Sequence, residues 1–276
     1  VRPIVDFYAG SEPVWSDVMH GGIHETEHAN AIRNGILGGG NVFVTGITAC
    51  GKSTLLMQVA LSPGRQDVRA ALAVGPNREQ ARKFLQSVKE DEEVIVFIDD
   101  AADSVDAIDL MSEKSNVQIV GFDRAFDYEI ASHRIRPYFE TLIDVSELGD
   151  RDTTSIITTI PQNIRISKEI RSGDAGELRS LFEVIERNIK GPRLGARCKS
   201  MLNDLENTDP NLADLLLAVA YTGRSRVVFS LDMALAFFRS DIDGYEDLYK
   251  MSDILRGMLR THEVIAAELD QDAWMP

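Results

Sequence analysis

The chain has 276 residues, 44% of them hydrophobic and 26% charged, and a net charge of −15. That composition is ordinary for a globular protein with room for two or three small domains, and it excludes low-complexity or fibrous classes. The acidic balance argues against a general nucleic-acid or anionic-membrane surface, and no apolar run approaches the roughly twenty residues of a membrane span.

Two cysteines, Cys50 and Cys198, lie far apart without metal-ligand spacing. This suits a reducing cytoplasm better than a disulfide framework or a zinc site. The first residue is Val1 and the last are Trp274-Met275-Pro276, so flanking domains are expected beyond both ends.

Residues 1–40 read as an arm ahead of the first core strand. Phe7, Tyr8, Val14, Trp15 and Val18 give it apolar material, and Thr26 to Leu37 has the pattern of a helix ended by Gly38-Gly39-Gly40. Residues 41–149 then alternate strand and helix signals. Val42-Phe43-Val44-Thr45 reads as a buried parallel strand, followed by Gly46-Ile47-Thr48-Ala49-Cys50-Gly51-Lys52-Ser53-Thr54 and an apolar helix. Strand, glycine-rich loop and helix in that order form the phosphate-binding pattern. The two glycines let backbone N–H groups turn inward, and the helix start adds its positive end. Lys52 is the candidate for the β- and γ-phosphates and Ser53 for Mg²⁺. Cys50 sits close to a helix N-terminus that favours a thiolate; a small residue that simply fits is the plainer reading. In such folds the segment before the first strand lies beside the base. Trp15 is assigned to packing first and to a base-side contact second.

Val68 to Val74 is the next strand signal, and Asn77 is a good N-cap for a helix through Val88. Val94-Ile95-Val96-Phe97-Ile98 is a continuous apolar run ending in Asp99-Asp100, the Walker B pattern. Asp99 is the second candidate for Mg²⁺, Asp100 the candidate for orienting or activating the attacking water, and Asp103 a third acid nearby. Ser104 is expected to cap a helix through about Ser112. Val117 to Phe122 is a fourth strand with Asp123-Arg124 at its end, and Arg124 is the candidate catalytic sensor of the γ-phosphate. A helix over Ala125 to Ile135 follows, then a fifth strand over Phe139 to Val145, with Ser146-Glu147-Leu148 opening another helix. The fold expected is an α/β core with a parallel five-stranded sheet.

Past Asp150 the strand signals stop. Residues 150–208 read as a helical lid, with helices over Ser180 to Ile189 and Ala196 to Leu205. Residues 209–276 read as three helices, over Leu212 to Tyr221, Leu231 to Phe238 and Tyr245 to Leu259, then a hairpin over Val264 to Trp274. That is the order of a winged helix. Its twelve acidic residues against six basic argue for protein packing over DNA.

Gly46 to Ser53, Val94 to Asp100, Gly121-Phe122-Asp123-Arg124 and Leu142 to Leu148 together resemble the STAND class of signal-transduction NTPases, relatives of the NACHT and NB-ARC ATPases. The family's Gly-x-Pro element has a loose counterpart in Lys190-Gly191-Pro192-Arg193, and its Met-His-Asp motif is not found. The resemblance implies an ASCE-type P-loop core, a helical lid and a winged-helix-like domain. It also implies an ATP/ADP and Mg²⁺ switch, often within bacterial antiviral defence proteins. The effector domain then lies elsewhere in the polypeptide or complex, and activation comes by homo-oligomerisation, with a protein trigger. No guanine-reading Asn-Lys-x-Asp pattern is present, which favours ATP. Two alternatives stay open: a nucleotide-retaining scaffold with negligible turnover, and an ATP-dependent transcription regulator using the winged helix on DNA.

Overall fold

The computed structural model of the chain describes residues 2–166, 180–190, 194–224 and 230–238, together with 246, 247, 250, 251 and 254. Helices α1 (Ile4–Tyr8), α2 (Trp15–Met19) and α3 (Glu27–Leu37) precede the first strand. Strands β1 (Val42–Gly46), β2 (Arg69–Val74), β3 (Val94–Asp99), β4 (Val117–Arg124) and β5 (Thr141–Asp144) follow, all parallel, in the order β2-β3-β4-β1-β5. The inner strands β1, β3 and β4 are buried at nearly every residue, as their continuous apolar runs require. The outer strands β2 and β5 are buried only in part, and they carry Arg69, Thr141 and Asp144, polar residues that edges tolerate. One strand, β4, therefore separates β1 from β3, as the resemblance to ASCE-type cores implied.

Helices α4 (Lys52–Leu61), α5 (Arg78–Ser87), α6 (Val105–Ser112) and α7 (Ala125–Ile135) connect the strands. Alternation along each strand splits the core between the two faces of the sheet. Phe43, Val96, Ile98 and Ile119 pack with Phe84, Ile108 and Ile135 from α5, α6 and α7. Val42, Val44, Ile95 and Phe97 pack with Ile32 and Ile36 of α3 and Leu56 and Val59 of α4.

Asn77 caps α5 as expected. Its side chain accepts the Gln80 N–H at 2.9 Å while the Gln80 side chain accepts the Asn77 N–H at 2.8 Å, a reciprocal capping box. Elsewhere tertiary partners move the expected boundaries. β2 begins one residue later, at Arg69. β4 runs through Asp123 and Arg124 because they pair with Thr45 and Gly46. β5 is shorter than Phe139 to Val145, and the Phe139 ring instead packs edge-on against Phe43 at 4.9 Å. Ser104 occupies the N-cap of α6 without capping it, since its hydroxyl donates to Asp100 O at 3.2 Å. The helix expected to open at Ser146 begins at Asp150 as α8 (Asp150–Thr159). Ser146 is committed to other bonds: its N–H and hydroxyl both donate to Asp144 Oδ1, at 2.9 and 2.5 Å.

Helix α9 (Leu181–Asn188) starts at a second reciprocal box between Ser180 and Glu183. The arm is more than a leader to the sheet. Phe7 and Tyr8 of α1 are buried against Ile160 just after α8, with Ile164 and Ile185 alongside.

The chain divides into two compact units, the first reaching Lys190 and the second taking Gly191–Leu269. In the second, α10 (Leu194–Thr208), α11 (Pro210–Arg224) and α12 (Leu231–Phe237) contribute to one cluster that includes Leu205, Leu212, Ala234 and Phe238. The boundary expected at 208/209 thus falls between α10 and α11, which share a core. Gly191-Pro192-Arg193, most of the Tyr245 to Leu259 helix and the Val264 to Trp274 hairpin lie outside the described residues. No described helix is long and apolar enough to cross a membrane.

Candidate functional site

The parallel order gathers the ends of β1, β3, β4 and β5 at one edge of the sheet, the edge where α/β folds bind ligands. Gly46 ends β1, and Ile47, Thr48 and Ala49 form an exposed rim before buried Cys50 and half-buried Gly51, Lys52 and Ser53. The loop needs unusual backbone. Ala49 has φ 62° and Gly51 φ 94°, left-handed values that reverse the chain so α4 can begin at Lys52. Gly46 is glycine for a different reason: a Cβ there would lie 2.6 Å from Cys50 Sγ and 3.1 Å from Val145. Lys52 Nζ donates to Gly46 O at 2.9 Å and Ile47 O at 2.8 Å, spanning the loop from beneath. Thr54 faces inward and is buried.

Across the loop, the Ser53 hydroxyl stands 3.5 Å from Asp99 Oδ2. The two candidate metal ligands, 46 residues apart, are therefore neighbours. Burial pushes the Asp99 carboxyl up to about 6, and the Asp100 charge adds to this, against the opposing pull of Lys52 and Ser53. A carboxylate that is costly to keep ionised is one a divalent cation would relieve. Asp100 is exposed with φ 53°, and Asp103 is also exposed. A non-glycine residue held in the left-handed region costs on the order of 1 kcal/mol, which Asp tolerates better than most. That turn sends the chain away from the sheet and leaves the Asp100 side chain in solvent beside Asp99.

The end of β4 holds a residue that pattern reading passed over. Asp123 is buried, and its carboxylate accepts the Ala102 N–H and the Arg124 N–H, both at 2.7 Å. It thereby fixes the turn after Asp100. Burial pushes this carboxyl up to about 6 as well, and the nearby Asp100 and Asp127 charges contribute. Only its position beside Arg124 in the sequence hinted at it. Arg124 lies opposite Gly46 in the ladder but is mostly exposed, with Nε 3.7 Å from Asp127 Oδ2. That partner belongs to α7, the helix that follows it.

Beside the loop lies a narrow cleft that opens to solvent. Its floor is Cys50, Gly51, Thr54 and Leu55, and its walls include Tyr8, Ile23 and His24 from the arm and Leu148, Ile156 and Leu181 from the segments after β5. Trp15, assigned to packing first, is not among the lining residues, which from the same arm include Ile23 and His24. Leu181 closes over the loop, since a Cβ on Gly51 would meet its Cδ2 at 2.5 Å. Cys50 agrees with the plainer reading of a small residue that fits: burial raises its thiol, and the Lys52 charge opposes that only in part. Cys50 is a small core residue packed among Leu55, Val145 and the β1 side chains.

A magnesium nucleoside triphosphate fits this set of groups. The loop presents backbone donors and a lysine, a Ser–Asp pair offers two oxygen ligands, and an apolar cleft with polar edges adjoins them. Mg²⁺ held by one or two protein oxygens completes its sphere with phosphate and water.

Residues 5–129 match the family described as Novel STAND NTPase 5. No curated protein matches the sequence. Among solved structures, the chain is similar to Aeropyrum pernix ORC1 in complex with DNA, at 12% identity over 86% of this chain and 82% of that one, TM-score 0.45. It is also similar to the Thermotoga maritima RuvB Holliday junction branch migration motor, at 14% identity over 85% and 79%, TM-score 0.40. A third is S. cerevisiae Hsp104 in a casein complex, at 14% identity over 57% of this chain and 33% of that chain, TM-score 0.41.

Proposed function

We propose, from the match of residues 5–129 to a STAND NTPase family, that the chain is an ATP-binding and slowly hydrolysing switch module of a larger signalling or antiviral-defence protein. In this reading it acts in the cytoplasm. Its effector domain lies elsewhere in the polypeptide or complex, a protein trigger acts on it, and activation comes with homo-oligomerisation. The observation that carries the reading is the contact between Leu181 and the phosphate loop at Gly51. A helix that follows the sheet touches the loop itself, so the loop's occupant and the position of α9 are physically linked. A ligand moves such an equilibrium only through different affinity for its two states, and this contact provides a means.

Within the site, Lys52 would hold the phosphate oxygens, and Ser53 with Asp99 would hold Mg²⁺. Mg²⁺ supplies charge neutralisation on the phosphates when bound. Asp100, exposed at the strand exit, would orient water for attack, and Arg124 would reach a phosphate oxygen after leaving Asp127.

Equilibrium binding of labelled ATP, single-turnover hydrolysis and light scattering with and without ATP test the reading. The Lys52→Ala protein should lose ATP binding and any ATP-dependent change in mass. If both survive unchanged, the proposal fails. Asp100→Asn should bind ATP and fail to hydrolyse it. Equal, zero turnover in that variant and in the parent protein would instead mark a scaffold that retains nucleotide without using it.

A further inference from the structure

The cleft beside the phosphate loop has two walls that come from distant parts of the chain, the arm and α8. One buried carboxylate joins them. Asp152, on the first turn of α8 with its side chain 4% exposed, places Oδ1 3.0 Å from His24 Nε2. Its other oxygen, Oδ2, accepts the Glu27 N–H at 3.0 Å, satisfying a free donor at the start of α3. A carboxylate oxygen can only accept, so the His24 proton sits on Nε2. The His24 backbone is held from a third direction: Gln58, buried on the phosphate-loop helix, donates from Nε2 to His24 O at 3.2 Å. Four residues on, His28 Nε2 bonds Glu147 O at 2.8 Å, a second link between the arm and the segment entering α8.

The phosphate-loop helix and α8 therefore both reach the arm at His24, and both of those links are made by buried side chains, Gln58 and Asp152. Buried polar groups joined this way fix geometry, because loss of one member leaves another unsatisfied away from water. We infer that the His24–Asp152 pair is a positioning pair that sets the width of the cleft and thereby the affinity for the base of the nucleotide, without touching the phosphates. The inference rests on the proposed binding of nucleotide at the phosphate loop, and takes the adjoining cleft as the pocket for its base. His24 also lines the cleft, so the ring that Asp152 orients forms part of the wall.

The test compares two ligands that share phosphates and differ in the base: Mg-ATP and Mg-tripolyphosphate. The Asp152→Ala and His24→Ala proteins should bind ATP about tenfold more weakly, the scale of one hydrogen bond, while binding of tripolyphosphate stays within about twofold. His24→Gln, which keeps a donor toward Asp152, should recover part of the loss. Unchanged ATP affinity in both alanine variants overturns the inference. So does an equal loss for both ligands, which would make the pair a general support of the fold. If Asp152→Ala does not fold, His24→Ala carries the test, its side chain being 26% exposed. Parent protein that binds tripolyphosphate as tightly as ATP would sink the base-pocket reading itself. Parent protein that binds neither would sink the nucleotide switch.

Discussion

The Ser146 hydroxyl accepts the Ile47 N–H at 3.2 Å, while donating its own proton to Asp144 Oδ1 at 2.5 Å. The exit of β5 thus holds the outer side of the phosphate loop, and Asp144 orients the hydroxyl so that a lone pair faces the loop. Removing it leaves the Ile47 N–H to solvent and the loop free on that side. Ser146→Ala should weaken ATP and tripolyphosphate binding alike, by about three- to tenfold. Calorimetric titration with both ligands checks this, and Ser146→Thr should restore much of the loss.

The two loop glycines should fail for different reasons when changed to alanine. Gly46→Ala pushes a methyl into Cys50 Sγ and Val145, a packing conflict that a smaller neighbour can relieve. Gly51→Ala meets only the mobile end of Leu181, but it must hold φ near 94°, costing about 1–2 kcal/mol whatever the space. In thermal unfolding and nucleotide binding, Cys50→Gly should partly rescue Gly46→Ala. Leu181→Ala should not rescue Gly51→Ala.

Asp99 and Asp123 both titrate near 6 in the folded chain, above the ordinary carboxyl value. Between about pH 4 and 6 the folded protein keeps protons that the unfolded chain has released, so stability falls as pH rises through this window. Below about pH 4 the penalty is absent, and above 6 it is complete. Glu25 and Glu79 are lowered by Arg33 and Lys83 and slope the other way, so the effect is read as a difference. In urea titrations without Mg²⁺, Asp99→Asn should gain on the parent protein by on the order of 2 kcal/mol between pH 4 and 7.

Cys50 is buried and its thiol is raised. In a Cys198→Ser background, alkylation by iodoacetamide at pH 7.5 should run at least about tenfold slower on the native protein than on the unfolded chain. Equal rates would mean that the loop opens far more freely than its packing allows.

What the amino-acid sequence determined by itself is local in origin. The continuous apolar runs around Val44, Ile95 and Val120 can only be inner strands, because no exposed edge would tolerate them. Gly51-Lys52-Ser53 had to follow such a strand, since the left-handed turn needs glycine and the helix start needs what comes next. The Asn77–Gln80 box needs only four residues of chain. Tertiary structure decided everything that depends on residues far apart meeting. Ser146 looked like a helix start until Ile47, 99 residues earlier, required its hydroxyl. Asp123 became a buried acceptor through Ala102, and Asp152 a joint through His24, 128 residues away. Which arm side chains line the cleft, Ile23 and His24 and not Trp15, depends on the path of the arm, which its composition does not fix. A hydrogen bond between distant segments leaves no periodicity in either, so only the folded chain could reveal it.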